Sequence, residues 1–189
     1  AAIHRALEMV NLSQEIHTPV SQFSGGMMRR IGLAQIFVQP PKVLIIDEPT
    51  VGLDPMERVR FRNLLAQLSR DRVVILSTHI VEDVAHSCKQ VALMNEGRII
   101  TAGTPEQLVA QAAGKVWELG VEDGEAWRHY RQTCLVAAQM QTEDHIRMRI
   151  VSESAPHSEA QSVAPTLEDA YLYFTRGISL KKEEQEAIQ

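Results

Sequence analysis

Four short segments carry residues whose types and spacing suit chemistry on a phosphate. Asp47-Glu48 follow the apolar run Val43-Leu44-Ile45-Ile46. A carboxylate placed where a parallel strand leaves its sheet projects into the crevice where ligands bind. There Asp47 can hold Mg²⁺ through a water. Glu48, one residue on and so turned elsewhere, can polarise an attacking water, and a positioned general base contributes about 10²–10⁴ in rate. Ser24-Gly25-Gly26 opens a helical stretch. Two glycines let a phosphate approach the backbone, the helix start offers free N–H groups, and an anion there gains about 0.3–2 kcal/mol from the dipole. Ser24 adds a hydroxyl donor. His79 follows a second apolar run, Val73-Val74-Ile75-Leu76, and can reach the same crevice, where a neutral imidazole donates to a phosphate oxygen or orients water. Gly52-Leu53-Asp54 makes a tight turn directly after the carboxylates.

Each segment also has a plainer reading. Asp47 and Glu48 serve equally as solvated carboxylates at a strand end, Ser24-Gly25-Gly26 as an ordinary loop before a helix, His79 as a surface or cap histidine, and Asp54 as a cap ahead of Pro55. What distinguishes them is their order along one chain, which depends on the elements that hold them.

Those elements are legible. Ile3, Leu7 and Val10 mark a helix over about Ile3 to Leu12, and Met27 to Val38 favours another, stopped by Gln39-Pro40-Pro41. Val43 to Ile46 and Val73 to Ser77 read as strands buried on both faces, the mark of a parallel sheet; burying four such side chains is worth on the order of 6–12 kcal/mol before entropy. A helix from Pro55 to about Ser69 joins them in a right-handed crossover. Ile80 to Cys88 reads as a helix. Asn95-Glu96-Gly97 marks a hairpin between Val91–Met94 and Arg98–Thr101, and Pro105 to Ala112 a short helix. Beyond Gly114 the texture changes: a strand at Lys115–Leu119, a helix at Asp123–Arg131, and two strands, Cys134–Gln141 and His145–Val151, paired across Thr142-Glu143-Asp144. Ile146, Met148 and Ile150 alternate with polar neighbours, giving that strand one wet face. Ser152 to Ala164 reads as a mobile loop. Thr166-Leu167-Glu168-Asp169 resembles a capping box with Asp in place of Glu, and Lys181 to Gln189 reads as a frayed charged tail.

Composition narrows the classes. The 189 residues, 44% of them hydrophobic, suffice for a real core. No apolar run approaches the roughly 20 residues of a spanning helix, and no secretory signal opens the chain. A net charge of −5 argues against binding nucleic acid by phosphate neutralisation. Cys88 and Cys134 form no disulfide framework, which points to a reducing cytosol.

In their order, the four segments resemble the nucleotide-binding domain of ATP-binding cassette (ABC) transporters. Phe23-Ser24-Gly25-Gly26-Met27 resembles the signature motif, Val43 to Glu48 the Walker B strand with its catalytic glutamate, Val51-Gly52-Leu53-Asp54 the D-loop, and His79 the switch histidine. The resemblance covers about residues 3 to 112. Lys115 to Arg176, ending in Pro165-Thr166-Leu167-Glu168-Asp169-Ala170-Tyr171, is similar to the C-terminal extension of bacterial export-type and multidrug-type ABC ATPases. The implied fold is α/β: a partial P-loop NTPase core of parallel strands flanked by helices, then a small α+β extension. The implied partition is 1–113 for the ATPase part, 114–176 for the extension and 177–189 for the tail. The implied function is that of an ATP-hydrolysing subunit energising transport, in the direction of export, with ATP and Mg²⁺ as cofactors. The implied partners are a second ATPase subunit in a head-to-tail dimer and transmembrane permease subunits that hold it on the inner face of the cell membrane. Within that dimer, Ser24, Gly25 and Gly26 grip the nucleotide of the opposite subunit, flanked by Phe23 and Met27. Asp47 holds the metal, Glu48 and His79 serve hydrolysis, and Gly52, Leu53 and Asp54 couple the two sites.

The sequence departs from the family pattern in three ways. No Gly-x-x-x-x-Gly-Lys-Ser/Thr loop occurs; Gly114-Lys115 lacks both the earlier glycine and the following hydroxyl. The adenine-stacking loop and Q-loop, which lie upstream of the signature in the family, are also missing. Met27 stands where the signature usually ends in Gln, and a thioether cannot donate to a ribose hydroxyl. The chain is therefore expected to be a C-terminal portion, inactive alone, with its central strands short of cover and prone to self-association. The alternative is a non-catalytic module lending its signature to a partner's P-loop. A DNA-repair or translation ATPase fits less well: the charge is acidic, there is one signature and no long coiled-coil insertion, so no nucleic-acid partner is expected.

Overall fold

The computed structural model describes residues 1–39, 41–122 and 124–175. Its contacts divide the chain into two units, residues 1–79 and 80–189. The expected charged tail at Lys181–Gln189, with Pro40 and Asp123, lies outside the described residues.

The first unit opens with helix α1, Ala2–Met9. It ends earlier than its apolar spacing predicts because Asn11 adopts φ 55. The N–H of Leu12 bonds to the carbonyl of Leu7 at 2.8 Å and that of Asn11 to Glu8 at 3.0 Å. These are the two bonds of a Schellman cap, with Asn in the left-handed position. Val10 and Leu12 stay buried beyond the helix end, with Ala6, Leu7 and Ala34. Helix α2, Gly25–Val38, starts two residues before the expected Met27 because Ser24 caps it, its Oγ accepting from the N–H of Met27 at 3.2 Å. Strands β1, Val43–Asp47, and β2, Val73–Ser77, pair in parallel with Val43 opposite Val73 and Asp47 opposite Ser77. Between them runs helix α3, Pro55–Leu68, with Pro55 in the first turn and Asp54 as its cap.

One expectation is corrected here. The two strands are not buried on both faces. Leu44 packs with Phe61, Leu65 and Leu68 of α3, and Ile46, Val74 and Leu76 lean on the same cluster. On the opposite face Val43, Ile45, Val73 and Ile75 are 52%, 73%, 56% and 50% exposed. A two-stranded sheet with helices on one side has nothing to lay over its other side, so alternate residues of an all-apolar run stay in water.

The second unit begins with helix α4, Val81–Ser87, one residue shorter at each end than expected. Strands β3, Val91–Asn95, and β4, Arg98–Gly103, form the expected hairpin. Glu96 and Gly97 take φ 48 and 74, the doubly left-handed loop that matches strand twist. Helix α5, Pro105–Gln111, is held by a full capping box between Thr104 and Gln107.

A four-stranded antiparallel sheet follows, in the order β6-β7-β5-β8, from β5, Val116–Val121, β6, Leu135–Gln141, β7, Ile146–Val151, and β8, Gln161–Ser162. Helix α6, Glu125–Thr133, lies between β5 and β6 in sequence, and its Trp127 and Tyr130 pack on the sheet core of Leu119, Val121, Ile146, Met148 and Ile150. The alternation of β7 is realised. The stretch Ser152–Ala164 is not only loop: Ser162 and Gln161 pair with Trp117 and Glu118 of β5. A last helix, α7, described over 167–175, starts at the expected box. Thr166 N–H donates to Asp169 Oδ2 at 2.7 Å and Asp169 N–H to Thr166 Oγ1 at 3.2 Å. Asp169, 1% exposed, also takes three bonds from Arg149 of β7, whose Nη2 bonds the carbonyl of Ala164 at 2.7 Å. That single guanidinium ties the loop and α7 to the sheet.

Candidate active site

At the carboxyl ends of β1 and β2, parallel pairing sets Asp47 beside Ser77. The Ser77 hydroxyl donates to Asp47 Oδ1. The next residue, Glu48, leaves the strand at φ 44, a left-handed conformation that costs a non-glycine residue about 1–2 kcal/mol. Two sets of bonds hold it there. Its own N–H bonds the carbonyl of Ser77 at 2.9 Å. Its carboxylate accepts from the His79 N–H at 3.1 Å, meets His79 Nδ1 at 2.7 Å, and takes the Thr78 hydroxyl at 3.3 Å. Strain of this kind persists only where the surroundings over-determine it. The pair remains open to a ligand, with the side chains of Glu48 and His79 36% and 72% exposed. A neutral His79 that donates from Nδ1 keeps Nε2 free to accept a proton.

A second group forms at the starts of α2 and α3. Gly25, Gly26, Arg29 and Gly52 line a shallow depression of about 250 Å³. Gly25 faces open space. A Cβ on Gly26 would come 3.4 Å from Glu57 Oε2, and one on Gly52, at φ 75, 3.4 Å from Arg29 Nη1. The glycines keep this floor bare, and the first turn of α2 presents its backbone N–H groups there. Asp54 spends one carboxylate oxygen on its capping role, accepting from the Glu57 N–H at 2.8 Å, and Leu53 is buried in the α3 cluster. Phe23 and Met27 place their side chains against the α1 cluster, and their N–H groups are already donated, to the Val20 carbonyl and to Ser24 Oγ.

The structure thus joins Glu48 to His79 directly, sets Asp47 one residue away on the same strand end, and gathers Gly25, Gly26 and Gly52 into a separate hollow. It adds Ser77, Thr78, Arg29 and Glu57. The hydroxyls of Ser77 and Thr78, in register with the two acids, were the readable signal; nothing in the sequence marks Arg29 or Glu57.

Residues 1–51 match the family model described as ABC transporter. Over those residues the chain is similar to an ABC transporter ATP-binding domain. It is 36% identical over 126 residues to the uncharacterized ABC transporter ATP-binding protein YxlF of Bacillus subtilis, a match covering 66% of this chain and 43% of that protein. It is 39% identical over 115 residues to the Nod factor export ATP-binding protein I of Paraburkholderia xenovorans, covering 60% and 38%. With the energy-coupling factor transporter ATP-binding protein EcfA2 of Lactiplantibacillus plantarum the identity is 33% over 164 residues, covering 84% and 56%. The chain spans about two-fifths of the length of the first two of these relatives. Among solved structures, cbiO1 from Clostridium perfringens, described as part of the ABC transporter complex cbiONQ, is similar with a TM-score of 0.52 and 34% identity, over 58% of this chain and 45% of that one. The fold is accordingly mixed α/β and resembles an ABC ATPase. Among the described residues no helix is long and apolar enough to cross a membrane.

Proposed function

We propose that these residues supply the hydrolytic and cross-contacting half of an ABC transporter ATPase site. The observation that carries the reading is the Glu48–His79 contact beside Asp47 at the ends of two parallel strands. Glu48 polarises the water that attacks the terminal phosphate of ATP. His79 and Thr78 hold its carboxylate in place, and His79 Nε2, with Nδ1–H spent on Glu48, is left as an acceptor toward the attacking water. Ser24, Gly25 and Gly26, flanked by Phe23 and Met27, grip the ATP bound to the phosphate loop of an opposing ATPase subunit. Gly52, Leu53 and Asp54 join the two sites. The residues fit a Mg²⁺ ion: Asp47 and the Ser77 hydroxyl are hard oxygen donors, and such an ion takes one or two carboxylates with water and phosphate for the rest. When bound, the ion would neutralise charge on the phosphates.

Closure of two such subunits on ATP, and opening after hydrolysis, drives transmembrane permease subunits at the inner membrane face. The relative named for Nod factor export and the extension expected from residue 114 favour export as the direction. The test is ATP turnover by the subunit assembled with its phosphate-binding partner. Glu48→Gln lowers turnover by at least about 100-fold while ATP binding persists. Unchanged turnover removes Glu48 from the mechanism.

A further inference from the structure

A second cavity of about 190 Å³, sharing Arg29 with the depression, opens between the end of α1, α2 and α3. Its floor is apolar, with buried Phe61 and half-buried Leu33 and Leu64. Its rim is cationic: Arg29, Arg30 and Arg60 against one carboxylate, Glu57. Glu57 is already engaged, 3.5 Å from Arg30 Nε. That distance is long and the Arg30 Nε remains buried without a hydrogen bond. Arg29 and Arg60 are exposed and have no polar partner among the described residues. The cavity therefore combines an apolar pocket with surplus guanidinium groups, the donors best suited to a planar carboxylate.

We propose that this cavity binds a small organic anion, a carboxylate on an aryl or short branched acyl body, with the carboxylate at Arg60 and Arg29 and the body over Phe61, Leu33 and Leu64. Size agrees: an apolar cavity of about 150 Å³ admits benzene, so the space here takes one ring with its carboxylate at the mouth. Charge agrees, because the rim carries more cation than Glu57 neutralises. Since α2 begins at the signature segment and α3 at the D-loop, such a ligand would brace the two helices against each other. The binding inference itself does not depend on the ATPase reading.

The test titrates the 189-residue chain with 3-phenylpropionate, its neutral amide and acetate, followed by ligand-observed NMR and calorimetry. The acid binds saturably with a Kd of about 1 mM or tighter. The amide binds about tenfold more weakly, because charge-assisted hydrogen bonds are the strong ones, and acetate, lacking the body, shows no saturable binding. Arg60→Gln weakens the acid about tenfold, and Arg60→Lys recovers part of that loss. Both variants alter an exposed side chain without partners, and circular dichroism checks that they stay folded. Absence of saturable binding by the acid overturns the proposal. So does equal affinity for acid and amide, or unchanged affinity in Arg60→Gln.

Discussion

In the sheet β6-β7-β5-β8, Val116, Met148 and Ile150 are fully out of solvent; in the β1-β2 pair, Val43, Ile45, Val73 and Ile75 are half or more exposed. Both sheets are built from the same aliphatic residue types. What separates them is pattern and cover. Strand β7 alternates apolar and polar residues, so one covered face satisfies it, and α6 supplies that cover. Strands β1 and β2 are apolar at every position up to Asp47 and Ser77, a pattern that asks for cover on both faces, and α3 supplies one. An unbroken apolar strand thus records a neighbour on each side, whether or not that neighbour is among the residues at hand. The catalytic candidates stand at the end of the half-covered sheet, and the self-contained sheet carries none of them.

The contrast can be broken or sharpened by substitution. Both tryptophans, Trp117 and Trp127, lie in the second unit, so their fluorescence reports its unfolding alone. Ile150→Ala should cost about 2–5 kcal/mol in urea unfolding read this way, through lost transfer and a residual cavity. Asp169→Asn should cost about 2–3 kcal/mol, since it removes the buried charged partner of Arg149 and leaves only the more exposed Glu118, 3.3 Å away.

The same pair sets an acid dependence. Burial raises the Asp169 carboxyl, but the hydrogen bonds from Arg149 and Thr166 and the Arg149 charge outweigh it, and its pKa lies below the ordinary value. The unfolded chain then takes up this proton first as pH falls. The stabilisation is therefore complete above about pH 4, the unfolded value, and is lost as pH drops through the folded one. Denaturant midpoints across that window should fall in the wild type and change less in Asp169→Asn. Parallel curves would mean that other carboxylates govern the acid limb.

In the first unit the effects shrink. Asp54→Ala removes a helix cap and should cost about 1 kcal/mol, seen as faster amide exchange in the first turn of α3. Smallest of all, Ile45→Lys with Ile75→Lys should alter stability by no more than about 0.5 kcal/mol, because both side chains already face water. Those two substitutions should instead lower self-association in sedimentation, as charges on an open apolar sheet do. If they destabilised the chain as Ile150→Ala does, the open face would not be open.

The pattern of what could be read from sequence follows the range of the interactions. The hairpin at Glu96-Gly97, the caps at Asp54 and Thr166, and the sheet alternation at Ile146, Met148 and Ile150 are local signals, and each element stands where it was expected. The Schellman end at Asn11 was readable but unmarked, since Asn alone is a weak stop. Strand β8 was not readable, because two residues, Gln161 and Ser162, carry no period, and their pairing depends on distant Trp117 and Glu118. At the site, the residue types at positions 47, 48 and 79 were enough to mark the candidates. The left-handed turn of Glu48 and its three donors arise from the register of β2 against β1, which no local signal encodes.

The central claim is that one molecule's Ser24–Gly26 and another's Glu48 close on the same ATP. Sedimentation of the Glu48→Gln subunit, joined with its phosphate-binding loop and given Mg²⁺ and ATP, tests it most directly. The account predicts a stable species of doubled mass that Ser24→Arg in the same chain abolishes. A mass unchanged by nucleotide, or a dimer indifferent to Ser24→Arg, would contradict it.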